Sequence, residues 1–309
     1  MFSLRAALSV FFLALSPVVA GAQQSSIATS APGGSVHNLG LMLAEAAGAK
    51  GIDLRVTPFK STTQAIPVVA AGEVNFGLAN AYELQMAVSG TLSFEGRPIE
   101  GLQAVAALYP FKMGLMVRES SDIRTMADLE GLRVPAGFGA TATGEYLIGG
   151  MLAAAEMSYD MVEKVTVSSF QDMQKAFQAG RIDTMIAIVG SARDARISDS
   201  VGGIRVLGIP GDSDAEARIR SFVPVARAEP VLASEKLVGV TEDMFTLTYD
   251  YFLYTSADTP SEDVSSVLQA IVDGKDEITA AIPAFVWFDL SRSGSIEGLS
   301  LHQGAKVAD

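Results

Sequence analysis

The chain has 309 residues, 35 acidic against 22 basic side chains, a formal net charge of −13, no cysteine and two histidines, His37 and His302. An acidic exterior disfavours nucleic acid and anionic membrane surfaces as partners. Without cysteine there is no disulfide, thiolate metal centre, cysteine nucleophile or lipid-modified N-terminal cysteine, and two histidines make no histidine-rich metal site, so neither a metal nor a cofactor is expected.

The chain opens with one positive charge, Arg5, an apolar run from Ala6 to Leu15, then Pro17 and the small residues Ala20, Gly21 and Ala22. That order is expected of a secretory signal peptide cleaved after Ala22. The run is shorter than the roughly 20 apolar residues that span a bilayer. What remains is long enough for two domains and is expected to be a soluble periplasmic monomer, not a lipoprotein.

From Ile27 onward, short β-like runs alternate with helical stretches that end at glycine. Ile27 to Ser30 reads as a strand, Val36 to Ala47 as a helix with Val36, Leu39, Leu43 and Ala47 on one face, and Ile52 to Thr57 as a strand. A helix over Thr63 to Ala71, irregular or late-starting because of Pro67, precedes a strand over Val74 to Asn80. The βαβαβ order implies a mostly parallel sheet. Gln103 to Leu108 and Met113 to Val117 read as two strands separated by Tyr109-Pro110-Phe111-Lys112, a candidate crossover.

A second series repeats the first: strand Leu132 to Pro135, helix Ala142 to Ala155, strand Val165 to Ser169, helix Gln171 to Ala179 and strand Asp183 to Val189. Ala71-Gly72-Glu73-Val74-Asn75-Phe76-Gly77-Leu78-Ala79 matches Ala179-Gly180-Arg181-Ile182-Asp183-Thr184-Met185-Ile186-Ala187 in residue type at most positions, each a helix ending at glycine before a buried strand. Thr246 to Ser256 reads as a return strand, with helices over Pro260 to Asp276 and around Ala280 completing the first unit. The expected architecture is α/β and two-lobed, with a ligand cleft and a strand hinge. Residues 23–108 and 227–309 form a discontinuous first lobe and residues 109–226 the second.

Ligands in such sheets sit at the carboxyl ends of the strands, where glycine-rich turns expose backbone N–H groups and helix N-termini favour anions. Candidate ligand contacts are therefore Ser30, Gly33, Gly34 and Ser35 after the first strand, and Gly139, Ala140, Thr141 and Thr143 in the matching turn of the second series. For either turn alone, Ser35 and Thr141 acting as plain N-caps is an equal reading. Lys60, Ser61, Thr62 and Thr63 supply a cation and three hydroxyls after the second strand, with a solvated helix start and a surface lysine as the alternative, and Asn80 and Tyr82 an amide and an aromatic ring after the third, with a capped turn beside a packed Tyr82 as the alternative. Tyr109 and Lys112 sit at the crossover, and Ser191, Arg193 and Arg196 follow the last strand of the second series. Neither glycine turn has a nucleotide-binding pattern. His37 reads as a surface histidine, and Trp287 with Phe285 and Phe288 as a core cluster.

Thr29-Ser30-Ala31-Pro32-Gly33-Gly34-Ser35, Ala70 to Leu78, Asp128-Leu129-Glu130-Gly131-Leu132-Arg133-Val134 and the Gly137 to Gly144 loop together resemble the solute-binding subunits of TRAP transporters of the TAXI type. The resemblance implies the periplasmic binding-protein fold, a TRAP-type permease as membrane partner, and small acidic ligands such as glutamate or 2-oxoglutarate. The second loop departs from the family's Gly-x-Gly-Ser-Gly-Thr, and Lys60-Ser61-Thr62-Thr63 from its Thr-x-Gly-Ser. Two other readings stay open on the same scaffold: an exported enzyme using acids such as Glu73, Glu145 or Asp183, and a sensor subunit for a membrane kinase.

Overall fold

The computed structural model describes residues 24–139 and 143–306. The signal-peptide segment and the loop residues Ala140 and Thr141 lie outside them. The first half runs β1 (Gln24–Thr29), α1 (Ser35–Gly48), β2 (Asp53–Pro58), α2 (Thr62–Ala70), β3 (Phe76–Asn80), α3 (Ala81–Ser89) and β4 (Leu102–Arg118). There follow β5 (Arg133–Ala136), α4 (Thr143–Ala154), β6 (Glu163–Thr166), α5 (Phe170–Gln178), β7 (Thr184–Ile188) and α6 (Ala192–Val201). The chain ends with β8 (Ile204–Leu207), α7 (Ser213–Arg220), β9 (Arg227–Val231), β10 (Met244–Ser256), α8 (Ser261–Asp273) and α9 (Lys275–Ala281).

Two long strands organise the molecule. The carboxyl-terminal half of β10 pairs with β3 and with the first half of β4, while its first half pairs with β9; the second half of β4 pairs with β7 and β8. One lobe therefore gathers β1, β2 and β3 with α1, α2, α3, α8 and α9, the other gathers the elements from β5 to α7, and β4 and β10 run through both. The sheet is parallel where β1 meets β2 and β3, and antiparallel along the two crossing strands, so the expected parallel character holds only inside the lobes.

The repeat read from the sequence has a structural counterpart down to single hydrogen bonds. The helices α2 and α5 end identically: Gly72 and Gly180 take left-handed φ values of 73° and 69°. The Gly72 and Gly180 N–H groups donate to Val69 and Phe177, and those of Glu73 and Arg181 to Val68 and Ala176. Both are Schellman closures, which satisfy helix carbonyls that would otherwise be orphaned. Three residues after each glycine, an Asx side chain clamps the lobe's first strand: Asn75 Oδ1 accepts from Ser26 N–H and Asp183 Oδ2 from Arg133 N–H, both at 2.9 Å.

Several expectations need correction. The strand around Tyr109–Lys112 is not interrupted: β4 passes through Pro110, which lies opposite Asp250 of β10. α2 is helical through Pro67, which is exposed. β6 ends at Thr166 and does not extend to Ser169, because Ser168 and Ser169 are consumed at the start of α5: Ser169 accepts from the Asp172 N–H, and the Asp172 carboxylate accepts from the Ser168 N–H. Trp287 is not a core residue but 37% exposed, with Lys112 Nζ 5.2 Å from its ring centroid; Phe285 alone of that group is fully buried, and Phe288 stacks on it at 4.9 Å.

Candidate functional site

A cavity of about 480 Å³ lies where the two lobes and the crossing strands meet. One wall is the turn after β1. Gly33 has φ +82°, and Gly34, the residue preceding α1, has little room for a side chain: a Cβ there would lie 3.0 Å from Ser30 Oγ. Ser30 itself sits behind the turn and does not line the cavity. No side chain caps α1, whose first residue is Ser35, so Ser35 is not an N-cap. The first-turn N–H groups of α1 consequently open toward the cavity, which Gly33, Gly34, Ser35 and Asn38 line. His37 is tied back to the strand, its Nδ1 3.0 Å from Thr29 Oγ1.

The opposing wall comes from the starts of α5 and α6. Ser191 caps α6 by accepting from Asp194 N–H, and the buried Asp194 carboxylate accepts from Ile188 N–H and from Arg193 Nε at 2.6 Å. Arg193 Nη2 donates to the Ile186 carbonyl, so its guanidinium is largely committed to holding the turn. Arg196, one turn further along, lines the cavity, is exposed, and has neither an ion pair nor a hydrogen bond among the described residues. Phe170, Gln171 and Gln174 of α5 complete this wall, with Phe170 braced by the Phe138 ring at 5.5 Å.

The floor is aromatic. Tyr109 and Phe111 of β4 line the cavity and pack on Tyr251 and Tyr249 of β10 at centroid distances of 5.2 to 6.3 Å. Tyr109 is only 6% exposed, yet its hydroxyl makes no hydrogen bond among the described residues. Burial raises the Tyr109 phenol far above its ordinary range, so it is a hydrogen-bond donor at every physiological pH. Among the described residues, two arginines and no Asp or Glu line the cavity.

The other sequence-read candidates gather elsewhere. Thr62 and Thr63 donate to the carboxylate of Glu83 at 2.7 Å, and Asn80 Nδ2 does so at the same distance. Asn80 in turn accepts from Glu83 N–H, closing a capping box at the start of α3. Ser61 caps α2, Lys60 is exposed, and Tyr82 is buried with its hydroxyl donating to the Phe222 carbonyl across the lobes. Burial raises the Glu83 carboxyl above the usual range against the pull of these hydrogen bonds. The hydroxyls and amide expected to meet a solute anion are thus occupied by a carboxylate of the chain itself. In the second-lobe turn Gly139 is exposed and does not line the cavity, and Thr143 is the buried first residue of α4. Glu145 accepts from Gly137 N–H, and Asp183 is paired with Arg133.

Asn38, Gln171 and Gln174 escape a reading of the sequence because a polar side chain on a first or second helical turn carries no local mark of facing a cavity. The segment Ala281 to Ala284, which also lines it, is brought there only by the return of the chain to the first lobe.

Solved structures share this architecture. The malate-bound protein MatC from Rhodopseudomonas palustris is 16% identical, with 90% of this chain and 93% of that one covered and a TM-score of 0.56. An adipate-bound protein from the same organism is 14% identical, with coverage of 86% and 88% and a TM-score of 0.57. The periplasmic aliphatic sulphonate binding protein SsuA from Escherichia coli is 14% identical, with coverage of 88% and 77% and a TM-score of 0.52. At such identities the likeness establishes the fold, a two-lobed periplasmic binding-protein fold, and the sequence adds the lineage. Residues 27–307, from the second half of β1 onward, match the NMT1-like family, and the chain belongs to it.

Proposed function

We propose that this protein is an exported, non-catalytic receptor that closes its two lobes on a small organic anion of the carboxylate class and delivers it to a TRAP-type permease. The observation that carries the reading is the charge of the cavity: Arg196 without a counter-charge, Arg193 beside it paired with Asp194 behind the lining, an uncapped helix N-terminus and, among the described residues, no acid in the lining, in a chain of net charge −13. A local reversal of the protein's overall sign concentrates anions in the cleft. Malate, adipate and aliphatic sulphonates, named for the three similar folds, are all anions. Acid catalysis in this cleft would lack its groups, since Glu73, Glu145 and Asp183 do not line it.

In this reading the lobes are divided where the strands cross, at Pro110–Lys112 of β4 and near Thr248–Asp250 of β10. We place the second boundary there in preference to residue 227; the reading of β9 and the start of β10 as part of the second lobe is supported by Ala228 N–H donating to Glu216 of α7 and by Phe245 bridging to Ile209. Solute bound between α1 and α6 touches both lobes and favours the closed form, which is what a permease distinguishes from the open one.

Binding to the native state raises the melting temperature in proportion to the logarithm of ligand excess over Kd. Thermal unfolding of the mature protein in the presence of dicarboxylates, monocarboxylates and sulphonates at millimolar concentration is expected to give an upward shift with at least one of them. Uniformly unchanged melting temperatures would overturn the proposal.

A further inference from the structure

We infer that the solute of this cleft is a carboxylate with an apolar body and no ammonium group, so that 2-oxo and unsubstituted acids are accepted and the corresponding amino acids rejected. The inference rests on the receptor reading above and narrows its ligand class. An α-amino acid brings a cation as well as an anion into the site. Burying that cation without a counter-charge is costly, so a zwitterion receptor needs an acidic side chain at the ammonium position. Here no Asp or Glu lines the cavity among the described residues. The acids of the two lining helices of the second lobe, Asp172 on α5 and Asp194 and Asp199 on α6, do not line the cavity; Asp172 accepts from Ser168 N–H, and Asp194 is spent on Ile188 N–H and Arg193. Of the other buried acids, Glu83 is enclosed by Thr62, Thr63 and Asn80, and Asp250, opposite Pro110, is bridged by Arg227 and Arg292; neither lines the cavity.

What the cavity offers instead is donors and apolar surface. Arg196 has no partner among the described residues, and Tyr109, more than nine-tenths buried, presents a hydroxyl with no acceptor among them. Both gain one from a carboxylate. The Tyr109 and Phe111 rings, held by their stacking on β10, and the Phe170 ring opposite supply faces against which an aryl or alkyl body packs.

The test is titration calorimetry of the mature protein with matched pairs: 3-phenylpropionate and phenylpyruvate against phenylalanine, and 2-oxoglutarate against glutamate. The expected result is saturable binding of the phenyl acids, with phenylalanine weaker by more than about tenfold. In Arg196→Gln the affinity for 3-phenylpropionate should fall by about tenfold, and in Tyr109→Phe by a few-fold, with the unliganded melting temperature of each variant reporting that it folds. Phenylalanine or glutamate binding as tightly as its amine-free partner overturns this inference and leaves the receptor reading standing. Absence of binding by every acid in the panel overturns both.

Discussion

Glu83 is the residue whose role is least visible in the sequence and most consequential in the fold. Its carboxylate has no cationic partner among the described ion pairs and is held by three side-chain donors and the Asn80 N–H. A hydrogen bond to a buried charge contributes more than a neutral one, about 1.5 to 3 kcal/mol. Thr62→Val, which keeps the shape and removes the donor, is therefore expected to destabilise the protein by about 2 kcal/mol, read as a lower urea midpoint at unchanged slope. The stretch from Lys60 to Gln64 is recognisable in the sequence as a polar turn at the ligand edge of the sheet. Its occupant is not, because the claim on these hydroxyls comes from a glutamate 21 residues beyond Thr62, whose spacing from Asn80 announces only a capping box at the start of α3. Arg196 shows the converse. A helix-surface arginine is ordinarily just solvated, and only the cavity it lines, together with the loss of Arg193 to Asp194, singles it out.

At the scale of elements, the two lobes share one closing device, and it is legible because it depends on local residue types. A methyl group added at Gly72 would meet nothing within 4 Å, and one at Gly180 only Arg118 Nη2 at 3.9 Å, so a substitution at either acts through backbone conformation alone. Gly72→Ala and Gly180→Ala are each expected to cost about 1 kcal/mol, the penalty of a left-handed backbone for a residue with Cβ. Equal losses in the two variants would reflect the equivalence of the two closures, and calorimetric unfolding measures both. The Asx clamp that follows differs in charge between lobes, and this gives a pH signature. Burial opposes ionisation of Asp183, but hydrogen bonds from the Arg133 side chain and N–H and its positive charge outweigh it, holding the carboxyl below the usual range. A depressed carboxyl stabilises the fold above its unfolded value, near 4, and that contribution disappears as pH falls through the lower folded value. Asp183→Asn should accordingly be less stable than the parent at pH 7 and lose less stability between pH 5 and pH 2, as followed by thermal melts across that range. The continuity of β4 through Pro110 is hidden from a reading of the sequence. A proline reads as a break, yet it is accommodated here where β4 passes from one set of partners to another.

For the molecule as a whole, the crossing strands carry a charge cluster that joins the lobes. Asp250, 1% exposed and opposite Pro110, is bridged by Arg227 at 2.9 Å and by Arg292 at 3.0 Å. Arg227 belongs to β9 and Arg292 to the segment following α9, so one carboxylate ties together chain from both sides of the crossing. Lys112, bonded to Glu229 and the Pro230 carbonyl and lying over Trp287, spans the same place from the other strand. Removing the charge at Asp250 takes the buried counter-charge from two partly buried guanidinium groups, leaving Arg227 to Glu229 alone and Arg292 to the more distant, exposed Asp289 at 3.8 Å. Asp250→Asn is expected to lower stability by about 3 kcal/mol, and small-angle scattering of that variant should report a larger radius of gyration than the parent, since the crossing strands lose their brace. The two-lobed plan itself is readable from the repeated turn, helix and strand grammar, whereas the cleft depends on which faces the crossing strands bring together. The measurement that bears most directly on the cleft as a receptor site is calorimetric titration of small organic acids into the parent protein and into Arg196→Ala side by side. One-to-one saturable binding in the parent that weakens by about tenfold or more in the variant is the predicted result; binding of equal strength in both, or none in the parent, would contradict it.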